Sequence, residues 1–446
     1  MTPAERPRSA PEQHWLARLS FLFVGLAVVF VAVFAELKSL TMLAVGLVGA
    51  AVTLAAAYFF LSRRGVWRWL SLAVFVLTPI AVIAVFALRN LLWVAVVAAA
   101  IWLLASMTAR LALVRDHPDW RMPEHPAEPP ARHPYLIMNP KSGGGKVEKF
   151  DLKSKAEELG AEVFLIDGAE PVDVAKVARE AVAQGADLLG VAGGDGTQAL
   201  VAGIAAEHGI PFVVISAGTR NHFALDLGLN RENPSACLGA LSDGVELRVD
   251  LGRINGQVFV NNASFGAYAE VVETPAYRDD KLNTTLNLLP DLLQGQRGVR
   301  LSARADDTEI RSPQALLVAN NPYGTGDIAG LSRRARLDAG LLGVIGVKVR
   351  NVQQAIDLLR GRRAVGVRVL STKKIEITAD APQIPVGVDG EALSMSTPVV
   401  CTISPGALRV WVPRDRPGIV PPKPPINWAR LWHLAGIHRK RAEVAA

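Results

Sequence analysis

Four apolar stretches, roughly 15–36, 39–62, 66–88 and 90–113, fill the first quarter of this chain. Each holds the ~20 apolar residues that a helix needs to cross ~30 Å of hydrocarbon. They divide the chain into a membrane part and a globular part. The first stretch is too long, and too closely followed by the others, to be a cleaved signal peptide. Its connector, Glu36-Leu37-Lys38, allows only a tight helical hairpin. Trp15, Trp67, Trp69, Trp93 and Trp102 include several at positions suited to an interfacial aromatic belt.

Arginine and lysine set the orientation. Arg6, Arg8, Arg18, Arg63, Arg64, Arg68, Arg110, Arg115 and Arg121 fall on one side, and only Lys38 and Arg89 on the other. The positive-inside rule then puts both termini and everything after residue 115 in the cytoplasm, with the spans in the plasma membrane. No Asp or Glu lies between the ends of the spans, so they read as an anchor rather than a transport path. The net charge of +7, with Arg clustered beside the apolar segments and at the C-terminus, points to an anionic membrane surface and not to nucleic acid. Cys237 and Cys401 lie far apart and outside any CxxC pattern, which fits a reducing compartment.

Residues 116–133 contain five prolines and read as an extended linker. Beyond it strands and helices alternate: strand 135–138, helix 146–159, strand 162–166, helix 171–183, strand 188–192, helix 197–207 and strand 211–216. That alternation predicts a parallel sheet covered on both faces. After about 245 the runs become β-rich, beginning with a hairpin turned at Asn255-Gly256. Strand-like runs at 299–305, 315–319, 343–349, 367–378 and 398–403, with a helix near 352–361, complete a mainly antiparallel β region.

Four short motifs carry the chemistry. Asn139-Pro140-Lys141-Ser142-Gly143-Gly144-Gly145-Lys146 follows the first strand. Its glycines let backbone N–H groups approach phosphate oxygens at a helix N-terminus. It is not a Walker A loop, because Pro140 replaces the first required Gly and Val147 follows Lys146. The second motif is Gly193-Gly194-Asp195-Gly196-Thr197. A dinucleotide site would want an acidic residue about 20 positions on, and 213–217 has none. Asp195 would repel phosphate unless Mg2+ lay between them, so it favours a metal–triphosphate site. Gly218-Thr219-Arg220-Asn221 is a third strand-end turn, and such turns converge at one edge of a parallel sheet. Asp389-Gly390-Glu391 is the fourth: a general base and its partner, or a hairpin turn with solvated acids.

In this order the four motifs resemble the diacylglycerol kinase catalytic family, the soluble-type lipid kinases related to sphingosine kinases. The resemblance covers about 134–412 and implies ATP and Mg2+ in a cleft between an α/β domain and a β-sandwich. It implies that Asn139 to Gly143 and Gly194 to Thr197 hold nucleotide and phosphates, with Thr219 adding a contact. Asp389 and Glu391 become the acidic pair, Glu391 being the preferred base on a lipid hydroxyl. The chain departs from the family pattern where Leu-Asn-Glu often follows GGDGT; here Gln198-Ala199-Leu200 stand. In a late loop Ala339 precedes Gly340 where the family often has Asp, leaving Asp338 to hold a structural metal.

The expected fold class is therefore multi-domain: an α-helical transmembrane domain (1–115), the linker (116–133), an α/β nucleotide-binding domain (134–245), a mainly antiparallel β-sandwich domain (246–412), then a Pro-rich linker and basic amphipathic tail helix (413–446). Trp428, Leu431, Trp432 and Ile437 share one side of the tail, with Arg430, Arg439, Lys440 and Arg441 flanking, as in a helix lying in a membrane interface. Packing on the globular body is the alternative. The expected function is a membrane lipid kinase, with a diacylglycerol-like acceptor; nothing in the sequence fixes the oligomeric state, and a homodimer stays open. The rivals are a nucleotide-sensing membrane module without turnover, a membrane-anchored dinucleotide-binding oxidoreductase, and a lipid-moving bundle driven by the kinase.

Overall fold

The computed structural model describes residues 10–34, 39–63, 65–88, 92–113, 121–166, 172–266, 269, 299–323, 334, 336–348, 367–419 and 428–436. The chain divides into two compact units, 1–118 with 422–446, and 119–421.

The first unit holds four long helices, α1 (Ala10–Phe34), α2 (Ser39–Ser62), α3 (Val66–Leu88) and α4 (Leu92–Leu113). α1 packs on α4 and α2 on α3. Gly49 permits the second pairing, since a Cβ there would stand 2.4 Å from a methyl of Val82. Large apolar side chains point outward: Leu22, Val33, Leu47, Trp67, Leu77 and Leu103 are all exposed, and α3 buries none of its residues. So large an uncovered apolar surface is foreign to a water-soluble fold. Among the described residues, Glu12–Val31, Val66–Leu88 and Trp93–Leu113 are long and apolar enough to cross a membrane, and Ala44–Phe60 is a shorter apolar run. Lys38 and Arg89 lie outside the described residues.

The second unit opens with strands β1 (His125–Pro126), β2 (Pro134–Met138), β3 (Glu162–Leu165), β4 (Leu188–Ala192) and β5 (Phe212–Ile215). Between and after them run helices α5 (Lys146–Lys149), α6 (Leu152–Glu158), α7 (Val174–Ala183), α8 (Asp195–Glu207) and α9 (His222–Asp226). β3, β2, β4 and β5 lie side by side in that order, all parallel. Every residue of β4 and β5 is buried, as in a sheet covered on both faces. The strand order reverses at β2, and ligands of open parallel sheets bind at the strand C-termini beside such a reversal. The first two glycine motifs follow β2 and β4 there. The helix expected over 146–159 is two helices. Asp151 breaks it at φ 51°, a left-handed conformation that Asp tolerates and a helix does not.

The remaining strands are β6 (Gly244–Ile254), β7 (Gln257–Phe259), β8 (Asn262–Gly266), β9 (Leu301–Ala305), β10 (Thr308–Arg311), β11 (Ala315–Asn320), β12 (Leu342–Val347), β13 (Val367–Thr372), β14 (Lys374–Ala379), β15 (Gln383–Val388), β16 (Glu391–Ser396) and β17 (Val399–Pro413). Strands β13-β12-β11-β8-β15-β16 form a six-stranded antiparallel sheet. β9, β10 and β14 belong to the other sheet, and apolar residues of the two pack face to face: Ile254, Phe259, Ile375 and Val399 against Phe265, Leu316, Val344 and Val386. The run expected as one strand over 367–378 changes sheet at Lys373, so β13 pairs with β12 while β14 pairs with β9 and β17. The strand expected over 398–403 is only the start of β17. Its first half pairs with β14; its second half pairs in parallel with β5. One continuous sheet therefore runs from the α/β half into the sandwich. The linker, too, is partly built in: β1 pairs with β6, and Met122 Sδ accepts from the Leu337 N–H. The helix expected near 352–361 lies outside the described residues.

A last helix, α10 (Trp428–Ala435), belongs to the first unit. It packs on α1 and α4. Leu431 is fully buried among Ala17, Ala109, Ala112 and Leu113, and Trp432 stacks 4.8 Å from Phe21. The end of α10 is capped from α1: Arg18 Nε donates to the Ala435 carbonyl at 3.3 Å, and His14 Nδ1 lies 2.5 Å from that of Leu434. The amphipathic pattern is real, and it faces helices of the same chain. Leu431→Asp should release α10 from the bundle. Hydrogen exchange over 428–435 should then rise at least tenfold, from loss of about 1.5–3 kcal/mol of apolar burial.

Candidate active site

Three glycine turns meet backbone to backbone. Asn139 N–H donates to the Ala192 carbonyl, joining the end of β2 to the end of β4. Pro140 and Lys141 then turn the chain, with the Lys141 N–H on Asn139 Oδ1 at 3.0 Å and the Ser142 N–H on the Asn139 carbonyl. Gly143 rests on the carbonyls of Ala217 and Gly218. A Cβ on Gly218 would stand 2.6 Å from the Gly193 carbonyl and 2.9 Å from Gly194 Cα, so only glycine lets the third turn sit on the second. Gly144, Gly145 and Gly194 differ, since the space where a Cβ would point is open. These are the backbone positions that a phosphate can approach.

The polar side chains of the turns mostly hold other turns. Asn221, wholly buried at φ 54°, accepts the Gly218 N–H and donates to the carbonyls of Ser216 and Gly218. Asp195, 7% exposed, accepts the N–H groups of His222 and Phe223, each at 3.2 Å, at the start of α9. Lys146 Nζ donates to the Arg231 carbonyl, and Arg231 in turn donates to that of Thr219. Gln198, where the sequence leaves its family's pattern, donates from Nε2 to the Gly193 carbonyl at 3.1 Å. It braces the second turn from within.

The acidic pair sits on a hairpin. Asp389 and Gly390, at φ 48° and 89°, form the two-residue turn between β15 and β16. Asp389 is half-buried and bonded inward, where a plain turn acid would point to solvent. Its carboxylate accepts three backbone N–H groups, from Val260 at 2.8 Å, Asn261 at 2.8 Å and Asn262 at 3.1 Å. Burial pushes its pKa up to about 7 against those donors, and the charge of Asp195 adds to the rise. Asp389 and Glu391 therefore have separate settings: the first anchors the hairpin, while the second reaches the Gly193–Thr197 turn. Glu391 Oε1 would stand 2.4 Å from a Cβ on Gly196, so glycine there makes room for the carboxylate. Beside them opens a cavity of about 300 Å3, lined by Thr197, Leu200, Val258, Asp389 and Glu391 among others.

A buried ion pair that no sequence pattern announced ties these parts together. Arg334 is 2% exposed and pairs with Asp226 of α9 at 2.6 Å. Its guanidinium also donates to the carbonyls of Val260, Asn261 and Asn320 and to Asn261 Oδ1. The same short segment, 260–262, supplies the N–H groups that hold Asp389. Asp195 thus rests on one end of α9, and Asp389 is reached through Arg334 from the other.

The profile of the diacylglycerol kinase catalytic domain matches residues 133–254, and that of the YegS C-terminal NAD kinase beta sandwich-like domain matches 267–412. A probable lipid kinase YegS-like of Pseudomonas aeruginosa is 30% identical over 63% of this chain and 95% of its own length. A diacylglycerol kinase of Bacillus subtilis is 28% identical over 57% of this chain and 88% of its own. The chain belongs to the diacylglycerol kinase and YegS-like family of lipid kinases. It is an ATP-dependent kinase. The crystal structure of a putative diacylglycerol kinase from Bacillus anthracis shares the fold, with a TM-score of 0.51 at 21% identity over 64% of this chain and 98% of that one. In this kinase the first three motifs fall in the first matched region and the Asp389 hairpin in the second, while the helices before residue 133 lie outside both.

Kinases of this family use ATP with a divalent metal. Among the described residues no three His, Cys, Asp or Glu gather as a metal cage. Mg2+ needs only one or two carboxylates beside substrate phosphates. Asp195 fits that mode, because each of its oxygens keeps a lone pair beyond the backbone N–H it accepts. Asp338 is engaged differently: its two oxygens pair with the Arg336 guanidinium, each at 2.8 Å, so a cation there would sit beside a charge that already neutralises the carboxylate.

Arg334→Leu would leave the Asp226 charge buried and several carbonyls bare, and should cost about 3–5 kcal/mol in denaturant unfolding. Asp389 gives a pH signature. Its pKa rises from 3.8 to about 7 on folding, so its protonated form stabilises the fold below pH 4. That contribution is lost as pH rises from about 4 to about 7. Asp389→Asn should abolish this part of the slope, read as unfolding midpoints across pH 4–8.

Proposed function

We propose that this chain is a membrane-bound lipid kinase that moves the γ-phosphoryl group of ATP to the hydroxyl of a diacylglycerol. The N–H groups around Gly144, Gly145 and Gly194 bind phosphate oxygens, and the N-terminus of α8 adds its partial positive charge. Mg2+, held by Asp195 and the phosphates, would neutralise charge on the transferred group. Glu391 takes the proton from the attacking hydroxyl. Asp389 and Arg334 position it without touching the reacting atoms. Catalysis of this kind is mostly positioning and charge stabilisation.

One observation carries the reading: the carboxylate of Glu391 lies directly on Gly196, in the first turn of α8. A base so placed serves transfer, whereas a module that only senses nucleotide has no use for it. The apolar outward faces of α1 to α4 support integration into the membrane, and the Arg distribution supports a cytoplasmic kinase body. Purified full-length protein in bilayers, given labelled ATP and a panel of lipid alcohols, should label diacylglycerol. Glu391→Gln should slow turnover by ~10²–10⁴-fold with little change in KM for ATP. No labelled lipid from any alcohol overturns the kinase assignment, and full activity in the variant overturns the base.

A further inference from the structure

The helical unit contains a cavity unrelated to the kinase chemistry. It holds about 710 Å3 between α2 and α3, lined by Val52, Ala55, Ala56, Phe59 and Arg63 on one side and Trp67, Leu70, Ser71 and Val74 on the other. Its origin is readable in the side chains. Gly49 draws α2 against Thr78 and Val82 of α3. Nearer the α2–α3 turn, the small residues Ala55, Ala56 and Ser71 face a space that no described residue of this unit fills. Phe59, Leu70 and Val74 wall it.

Three features define an occupant. The lining is apolar along its length. From Val52 to Arg63 the helix rises about 16 Å, close to half the ~30 Å hydrocarbon core, which is the depth of one acyl chain in one leaflet. At the turn end stand Arg63, its guanidinium 5.8 Å from the Phe59 ring, and Trp67, 70% exposed. Charge and an indole at that level mark the headgroup boundary. Among the described residues, Arg63 is the cation that lines the cavity, while Arg68 Nε nearby donates to the carbonyls of Phe60 and Arg63.

We propose that the α2–α3 cavity binds a singly charged anionic phospholipid from the cytoplasmic leaflet. One acyl chain fills the groove, and the phosphodiester pairs with Arg63. This rests on the reading that the helices span a membrane, and on nothing in the catalytic site. The site is structural solvent for the helix pair: it supplies the contacts that Ala55, Ala56 and Ser71 leave unmade.

Native mass spectrometry of the full chain, released from nanodiscs of phosphatidylcholine, phosphatidylglycerol and diacylglycerol, tests it. One phosphatidylglycerol should remain bound per chain. Arg63→Gln should lower its retention about tenfold relative to phosphatidylcholine, the scale of one charge-assisted hydrogen bond. Ala55→Leu, which fills the groove, should lower retention of every lipid. Equal retention of phosphatidylcholine overturns the proposal. So does preferred retention of diacylglycerol, or an unchanged Arg63→Gln. Carbonate extraction of the same membranes separates the two claims: protein that resists extraction yet retains no anionic lipid sinks the site and leaves the membrane reading standing.

Discussion

A fully desolvated guanidinium holds the kinase body in register. Arg334 has five N–H donors, and burial makes each of them need a partner. Its partners are Asp226 and a set of backbone and side-chain oxygens on 260, 261 and 320. One end of that set lies in α9, at the edge of the α/β half; the other lies on the β7–β8 link and the end of β11. Removing the arginine would leave an unpaired carboxylate and bare carbonyls together, which is why such a pair is hard to lose once a fold depends on it.

From this clamp the site assembles in short steps. The segment 260–262 is fixed through its carbonyls, so its N–H groups point at Asp389. Asp389 fixes the hairpin turn, and the hairpin delivers Glu391 to Gly196. The first step rests on the buried Arg334 guanidinium, the middle ones on backbone N–H groups and a tight turn, and the last on the Glu391 side chain alone. The Glu391 carboxylate is thus the least constrained member of the set, as the base proposed for a substrate hydroxyl needs to be.

Much of this was legible in the residues. Alternating strands and helices gave the parallel sheet, because buried parallel strands are apolar throughout. Asn255-Gly256 gave its hairpin, because few other dipeptides take positive φ twice. The glycine motifs were located correctly, yet their chemistry was only half visible. Gly143, Gly196 and Gly218 are glycine because another part of the chain presses on them, while Gly144, Gly145 and Gly194 face open space. A sequence motif does not distinguish these two needs. Asn221, in the third strand-end turn, is the internal brace of that turn, a use its place in the motif does not reveal. Arg334 and Asp226 left no signal, since they are 108 residues apart and belong to no local pattern. Gln198, which departs from the family pattern after GGDGT, pairs with the Gly193 carbonyl, a contact that no linear pattern shows.

The path of β17 bears on how the kinase body comes apart. Its first half lies in the sandwich and its second half is the outer neighbour of β5, with β6 paired along almost its whole length. The α/β half therefore has no edge of its own on that side. Peeling it away would strip hydrogen bonds from a strand still anchored in the other half. Local opening follows cooperative blocks of contacts, and here the block does not end where the domain names change. What two family profiles describe separately is, in energetic terms, one foldon crossing both.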